Sequence, residues 1–298
     1  MTSSNDTQLK NAFPRVAGAL TIAAGTTVII GWIVDLPLLK SLHPGLVSMK
    51  ANTALAFVLA GISLLLLSSQ GESKQKVIAR FLAFMVFLIG LFTILEYVFT
   101  WDAGIDQLLF HEPQGTIGTY SPGRMALNTA ISFCLLGITV VTMRRKKRWS
   151  NVLAQFAPLV VAFFGLLVLL SYAYGLTGFI GIAIYTRMAL HTAVTFVLLS
   201  VGMLYLQFEA GIMTVVRGQG LAGYMARRLM LAALCVPVAL GWLVSHGKMI
   251  GLYDNQFGES LSATAYIGIF VFLVWIIAKS LMKMDAERKR AEETLRES

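Results

Sequence analysis

Charge is what this chain has least of. Asp, Glu, Lys and Arg make up 13% of its 298 residues, against 57% hydrophobic residues, and the mean hydropathy is +0.73. A soluble domain carries about 25% charged residues, so a soluble fold is excluded and a membrane protein is expected. Cysteine is nearly absent. Cys134 and Cys235 both sit inside apolar runs and read as small core residues, not as a disulfide or a metal pair. The chain has no HExxH, CxxC or CxxCH pattern, no phosphate-cradling glycine loop and no nucleophile elbow. Residues 218–223 match GxGxxG by letter, but no strand precedes them and they fall between apolar segments. No catalytic residue and no metal-ligand set is therefore assigned. No secretory signal is evident: residues 1–11 are polar and no cleavage site follows the first apolar run, which is expected to stay as an anchor. The net charge of +9 does not point to nucleic acid, because the basic residues punctuate hydrophobic segments.

What the chain has instead is one stretch written three times. Residues 48–57 read Ser-Met-Lys-Ala-Asn-Thr-Ala-Leu-Ala-Phe, 124–133 read Arg-Met-Ala-Leu-Asn-Thr-Ala-Ile-Ser-Phe, and 187–196 read Arg-Met-Ala-Leu-His-Thr-Ala-Val-Thr-Phe. Four positions fall in register: Met49/Met125/Met188, Thr53/Thr129/Thr192, Ala54/Ala130/Ala193 and Phe57/Phe133/Phe196. A polar residue precedes each Thr: Asn52, Asn128, His191. Self-similarity of this kind signals a repeated structural unit.

A membrane-spanning helix needs about 20 mainly apolar residues. Eight segments qualify, near 16–37, 48–68, 78–100, 125–143, 152–174, 188–207, 228–246 and 261–279. Lys and Arg in the connections set the orientation. One alternate set of connections, with both tails, holds 19 of the 24 basic residues, including Arg144 to Arg148; the other holds Lys40, Lys50, Arg124, Arg187 and Lys248. Both termini are thus expected in the cytoplasm. Residues 208–226 read as an interfacial helix.

An aromatic residue ends the first helix of each pair: Trp32, Tyr97, Tyr172, Trp242. The separations to Thr53, Thr129, Thr192 and Thr264 are 21, 32, 20 and 22 residues. The expected fold is an all-α membrane protein: eight transmembrane helices as four tandem hairpins, about 15–70, 77–143, 152–207 and 227–279, within a membrane domain at 15–279. Residues 1–14 form a cytoplasmic lead and 280–298 a cytoplasmic linker helix. The second hairpin carries an insertion, 101–122. The fourth lacks the Met and the Asn/His. The linker has i,i+4 pairs Asp285–Lys289, Arg288–Glu292 and Glu292–Arg296 and a partly apolar 3-4 seam, consistent with a helix frayed into water or with a homodimeric coiled coil.

Gly104-Ile-Asp-Gln-Leu-Leu-Phe110, the Met-Ala-Leu-Asn/His-Thr-Ala copies, Gly251-Leu-Tyr-Asp254 with Phe257-Gly258, and Asp285-Ala-Glu-Arg-Lys-Arg-Ala-Glu-Glu293 together resemble the N-terminal membrane-sensor region of bacterial PAS-containing or hybrid sensor histidine kinases. The likeness runs from about residue 20 to the end. It implies a signal-input role in two-component signalling at the bacterial inner membrane, with the kinase following the linker. It carries over no established functional residue.

Ionisable groups inside a bilayer are functional-site candidates by default. Glu96 is the first of these; its counterparts are Gly31, Ser171 and Gly241. Arg124 and Arg187 open motif helices, where the helix dipole makes a cation unfavourable unless an anion is near; Glu96, Asp102, a lipid phosphate or a ligand carboxylate would serve, and snorkelling to headgroups is the plain alternative. Asn52, Asn128 and His191 read either as interhelical packing polar groups or as ligand contacts. Trp32, Tyr97 and Tyr172 read either as an interfacial belt or as the walls of an outward pocket. His43, His111, His191 and His246 all fall near the outer side, yet no two share a helix at i,i+4, so haem or metal ligation is weakly supported. The expected function is sensing of a small molecule, a quinone or the state of the bilayer near the outer leaflet, relayed by the last helix. A transporter or channel, and a haem- or quinone-binding redox sensor, remain open as alternatives. No cofactor is assigned.

Overall fold

The computed structural model describes residues 4–69, 73–143, 148–174, 187–206, 218 and 220–297. Within them the chain is helical and has no strand. The helices are α1 (Ser4–Ile33), α2 (Pro37–Ser41), α3 (Ala51–Ser68), α4 (Ser73–Val98), α5 (Leu127–Thr142), α6 (Arg148–Ala173), α7 (Leu190–Leu206), α8 (Leu221–Met249) and α9 (Asn255–Glu297). Six are long and apolar enough to cross a membrane: α1, α3, α4, α6, α8 and α9. The other two apolar helices, α5 and α7, have 16 and 17 residues. The chain divides into two compact units near residue 214.

In the first unit α3, α5 and α7 pack against one another. Helix α1 lies against α3 and α7, α4 against α3 and α5, and α6 against α5 and α7. Three inner helices thus alternate with three outer ones in a closed ring of six. Their meeting point is aromatic. Phe57, Phe133 and Phe196 are fully buried, with ring centroids 4.7 to 5.0 Å apart in all three pairings. Edge-to-face pairs of this kind contribute about 0.5–1.5 kcal/mol each beyond simple burial.

Lipid is as apolar as a Leu side chain, so close packing, not water exclusion, holds membrane helices together. Glycine supplies the closeness here. A Cβ on Gly25 would come within 2.6 Å of the Ala54 carbonyl oxygen, one on Gly90 within 2.6 Å of Ala130 O, and one on Gly165 within 2.9 Å of Ala193 O. Each glycine stands seven residues before the aromatic that ends its helix: Trp32, Tyr97, Tyr172.

Each inner helix begins two residues before its motif Thr, at Ala51, Leu127 and Leu190. Lys50 and Ala126 are extended N-caps, whose carbonyls accept the first helical bonds from Ala54 and Ala130. The preceding Met carbonyl therefore has no helical partner, and a buried carbonyl needs one. The aromatics supply it. Trp32 Nε1 donates to Met49 O at 3.0 Å, Tyr97 OH to Met125 O at 3.0 Å and Tyr172 OH to Met188 O at 3.1 Å.

In the second unit α8 and α9 pack on each other. Trp242 is 54% exposed and stacks on His246, and Thr264 bonds back to its own helix at Ser260 O. Cys235 is exposed on α8, not the core residue expected, while Cys134 is half-buried and donates to Phe87 O. Helix α9 runs for 43 residues without a break from its apolar span into the charged segment. The ion pairs and seam expected after Met282 fall outside the described side chains. Of the expected interfacial helix, 221–226 belong to α8, and 208–217 and 219 lie outside the described residues.

Candidate functional site

The loop between α4 and α5, the sequence insertion, folds back over the N-terminal ends of the inner helices. The reversal begins at Thr100, whose φ of 50° is a left-handed conformation that a β-branched residue rarely adopts. It lets the Ala103 N–H donate to Glu96 Oε1 at 3.1 Å. Two buried polar sites follow.

The first joins the loop to α3. Lys50 and Glu112 are 2% and 3% exposed and form an ion pair at 2.5 Å. Lys50 Nζ also donates to Thr119 Oγ1. Glu112 Oε1 accepts from Ser48 Oγ at 3.1 Å, and Oε2 accepts the Gly123 N–H at 2.7 Å. Asn52 Nδ2 donates to Gly123 O at 3.3 Å. Gly123 has φ +74°, and a side chain there would collide with the Asp106 carbonyl. Charge is balanced in this site, and both oxygens of Glu112 have donors. Burial pushes the Lys50 pKa down, with Glu112 opposing the shift.

The second joins the loop to α4 and α5. Arg124 Nε donates to Asp106 Oδ2 at 2.6 Å and stands 3.7 Å from Glu96 Oε2; its NH2 group donates to Trp101 O at 3.3 Å, and its guanidinium lies 5.4 Å from the Tyr97 ring centre. Asp102, exposed, brings a third carboxylate within 4.8 Å of the other two. Glu96 is 1% exposed and Asp106 7%. Glu96 Oε2 and Asp106 Oδ1 are buried with no N–H or hydroxyl donating to them, and the two carboxyl groups stand against each other. Burial pushes the Asp106 carboxyl above the usual carboxylate range even with Arg124 beside it. This site holds three carboxyl groups to one guanidinium.

The candidate residues thus separate. Glu96, Arg124 and Tyr97 come together. Asn52 joins the Lys50 site, and Asn52 Oδ1 and Asn128 Oδ1 also accept from the backbone N–H of Thr53 and Thr129, capping the first helical turn. Trp32 and Tyr172 are bound to Met carbonyls, as above; Trp32 also lies under Lys40 Nζ and beside Phe110. Arg187 is exposed and its backbone N–H donates to Gly118 O at 2.8 Å, tying the same loop to the start of α7. His191 takes the place of the capping Asn on α7, and both of its ring nitrogens are buried without a hydrogen-bond partner. Among the described residues, Glu96, Asp102 and Asp106 are the one group of His, Cys, Asp or Glu side chains close enough to share an ion, and it contains no histidine.

Lys50, Asp106, Glu112 and Gly123 were not singled out by the sequence. Glu112 lies 62 residues from Lys50 in a loop of ordinary polar composition. The signal for Lys50 was present: the other two copies carry Ala126 and Ala189 at its position, so a lone lysine in an otherwise apolar register marks a partner elsewhere. No family model, curated protein or solved structure matches the chain.

Proposed function

We propose that this chain is the membrane-embedded signal-input region of a bacterial sensor histidine kinase. The observation that carries the reading is that the chain holds both a polar layer at one end of the first unit's helices and, in the second unit, α9, a single 43-residue helix leading from an apolar span into a charged segment. An unbroken helix transmits rotation or translation along its length, which is what an input region must deliver. The resemblance of the motif copies and of the terminal Glu-Arg-Lys-Arg-Ala-Glu-Glu stretch to such sensors supports the same assignment.

In this reading the three motif hairpins are copies of one unit, and α8–α9 is a fourth that has lost the motif, giving eight spans with both termini cytoplasmic. The insertion and the polar layer face outward, where the sparsely basic connections lie. A ligand or a change in the bilayer favours one of two packings of the layer, and α9 carries the shift to a dimeric linker.

Phase is the test. Residues 1–298 are fused to a histidine-kinase core through α9, with one to four residues inserted after Lys279. Each inserted residue rotates the downstream helix by about 100°. Autophosphorylation in nanodiscs is expected to rise and fall with helical period across the series. A flat or monotonic series contradicts transmission through α9.

A further inference from the structure

The two buried polar sites differ in what they leave unsatisfied. Lys50 and Glu112 neutralise each other, and the ammonium and both carboxylate oxygens have partners. The Arg124 site is different. Three carboxyl groups gather where Arg124 supplies one guanidinium, which pairs with Asp106 and, more distantly, with Glu96. In each carboxylate one oxygen is held by a protein donor: Glu96 Oε1 by the Ala103 N–H, Asp102 Oδ1 by the Gly104 N–H and Asp106 Oδ2 by Arg124 Nε. Independently, Glu96 and Asp106 are more than nine-tenths buried, and Glu96 Oε2 and Asp106 Oδ1 have no N–H or hydroxyl donor. Arg124 comes no nearer than 3.7 Å to Glu96 Oε2, so that oxygen stays available. Buried acceptors in excess of donors call for a cation, because an unpaired buried carboxylate oxygen is costly.

We infer that Glu96, Asp102 and Asp106 form a divalent-cation site, selective for a hard, oxygen-seeking ion such as Ca²⁺. The ligand atoms lie within 4.8 Å of one another, a separation one ion can span at Ca–O distances of about 2.3–2.6 Å. The donor set is all oxygen, with no sulfur or imidazole, which favours Ca²⁺ or Mg²⁺ over zinc or copper. Asp102 is exposed and opens the site to solvent, while Glu96 and Asp106 form its buried floor. Since Glu96 ends α4 and Arg124 precedes α5, an ion here ties the insertion to two helices of the ring. The inference rests on the proposed function only in taking the same layer as the input site; the binding itself needs no output domain.

Terbium(III) serves as the probe, because Trp101 adjoins Asp102 and can sensitise its luminescence. The full chain in nanodiscs is titrated with terbium and then with Ca²⁺ and Mg²⁺ as competitors, with Ca²⁺ calorimetry in parallel. The expected result is a saturable signal displaced by Ca²⁺ more readily than by Mg²⁺, with affinity in the roughly 10⁻⁴–10⁻³ M range of extracellular sites. Asp102→Asn and Asp106→Asn are each expected to weaken it at least about tenfold, since ligand charge sets affinity. Asp102 is exposed and its bond from the Gly104 N–H lies within its own turn, so Asp102→Asn keeps the fold and carries the test if Asp106→Asn does not. Trp101→Phe is expected to weaken the luminescence, Tyr97 remaining near the site, but to keep the Ca²⁺ heat. No Ca²⁺ heat up to millimolar concentration, or binding unchanged in Asp102→Asn, overturns the site. A kinase fusion that still responds to mutations of the layer while no cation binds would sink this inference and leave the input reading standing; cation binding without any effect on output does the reverse.

Discussion

The Lys50 and Arg124 sites lie at the same end of the first unit and are built by the same loop, yet they are opposite in kind. At Lys50 one ammonium meets one carboxylate, every oxygen of Glu112 has a donor, and the pair locks the loop to α3. At Arg124 one guanidinium pairs with Asp106 and, at 3.7 Å, with Glu96, Asp102 stands beside these two, and two buried oxygens have no N–H or hydroxyl donor. A balanced, satisfied pair has one low-energy arrangement and suits a structural latch. An unbalanced one changes energy whenever a proton, an ion or a neighbouring helix moves, and so suits an input. Gly123 stands between them, with its N–H on Glu112 and its α-carbon against the Asp106 carbonyl.

The sharpest way to break this contrast is to open the latch. Glu112→Leu or Lys50→Met strands a buried charge and is expected to cost about 3–5 kcal/mol in unfolding free energy, whereas the double variant recovers most of it. A double variant no better than the singles would mean that the pair is not the latch. Gly123→Ala strains a left-handed position and crowds Asp106, with an expected loss of about 2 kcal/mol or more and effects on both sites. Glu96→Gln removes one carboxyl group and leaves Arg124 its bond to Asp106, so unfolding is expected to move by less than about 1 kcal/mol. If Glu96→Gln costs as much as Glu112→Leu, the distinction between latch and input fails. Titration sharpens it further. The folded chain gives up the Lys50 proton below the 10.5 of a free lysine, so this group adds stability as pH rises from that lowered value towards 10.5. Unfolding midpoints measured across that window are expected to rise in the native chain and to lose this component in Lys50→Met. The smallest effect belongs to Asp35→Asn. Its pair with Lys40 at 2.6 Å has the Asp35 side chain 90% exposed, and no measurable change in stability is expected.

The membrane class, the helical fold and the motif helices were legible because apolar runs and a register of four residues are local signals. Glu96 and Arg124 were legible because charge stands out against an apolar background. The rest was hidden for identifiable reasons. Lys50 and Glu112 meet across 62 residues, and no periodicity reaches that far. Gly25, Gly90 and Gly165 were readable at a constant seven residues before the aromatics, but glycine is common enough here, 26 in the chain, that spacing to a second landmark was needed to find them. The aromatics were read as belt or pocket wall. Their bonds to the Met carbonyls depend on where each helix begins, which sequence places only to within a few residues. Trp242 shows the opposite failure: its 22-residue spacing to Thr264 matches the other hairpins, yet the position seven before it is Cys235 and the aromatic stacks on His246 instead. Spacing alone did not carry the partners with it.

The most direct test of the account is the output of Glu96→Gln in the kinase fusion, measured as autophosphorylation in nanodiscs beside Asp35→Asn and the native chain. Glu96→Gln is expected to shift the output, with unfolding close to native and Asp35→Asn unchanged in both. Native output from a stably folded Glu96→Gln protein would contradict it.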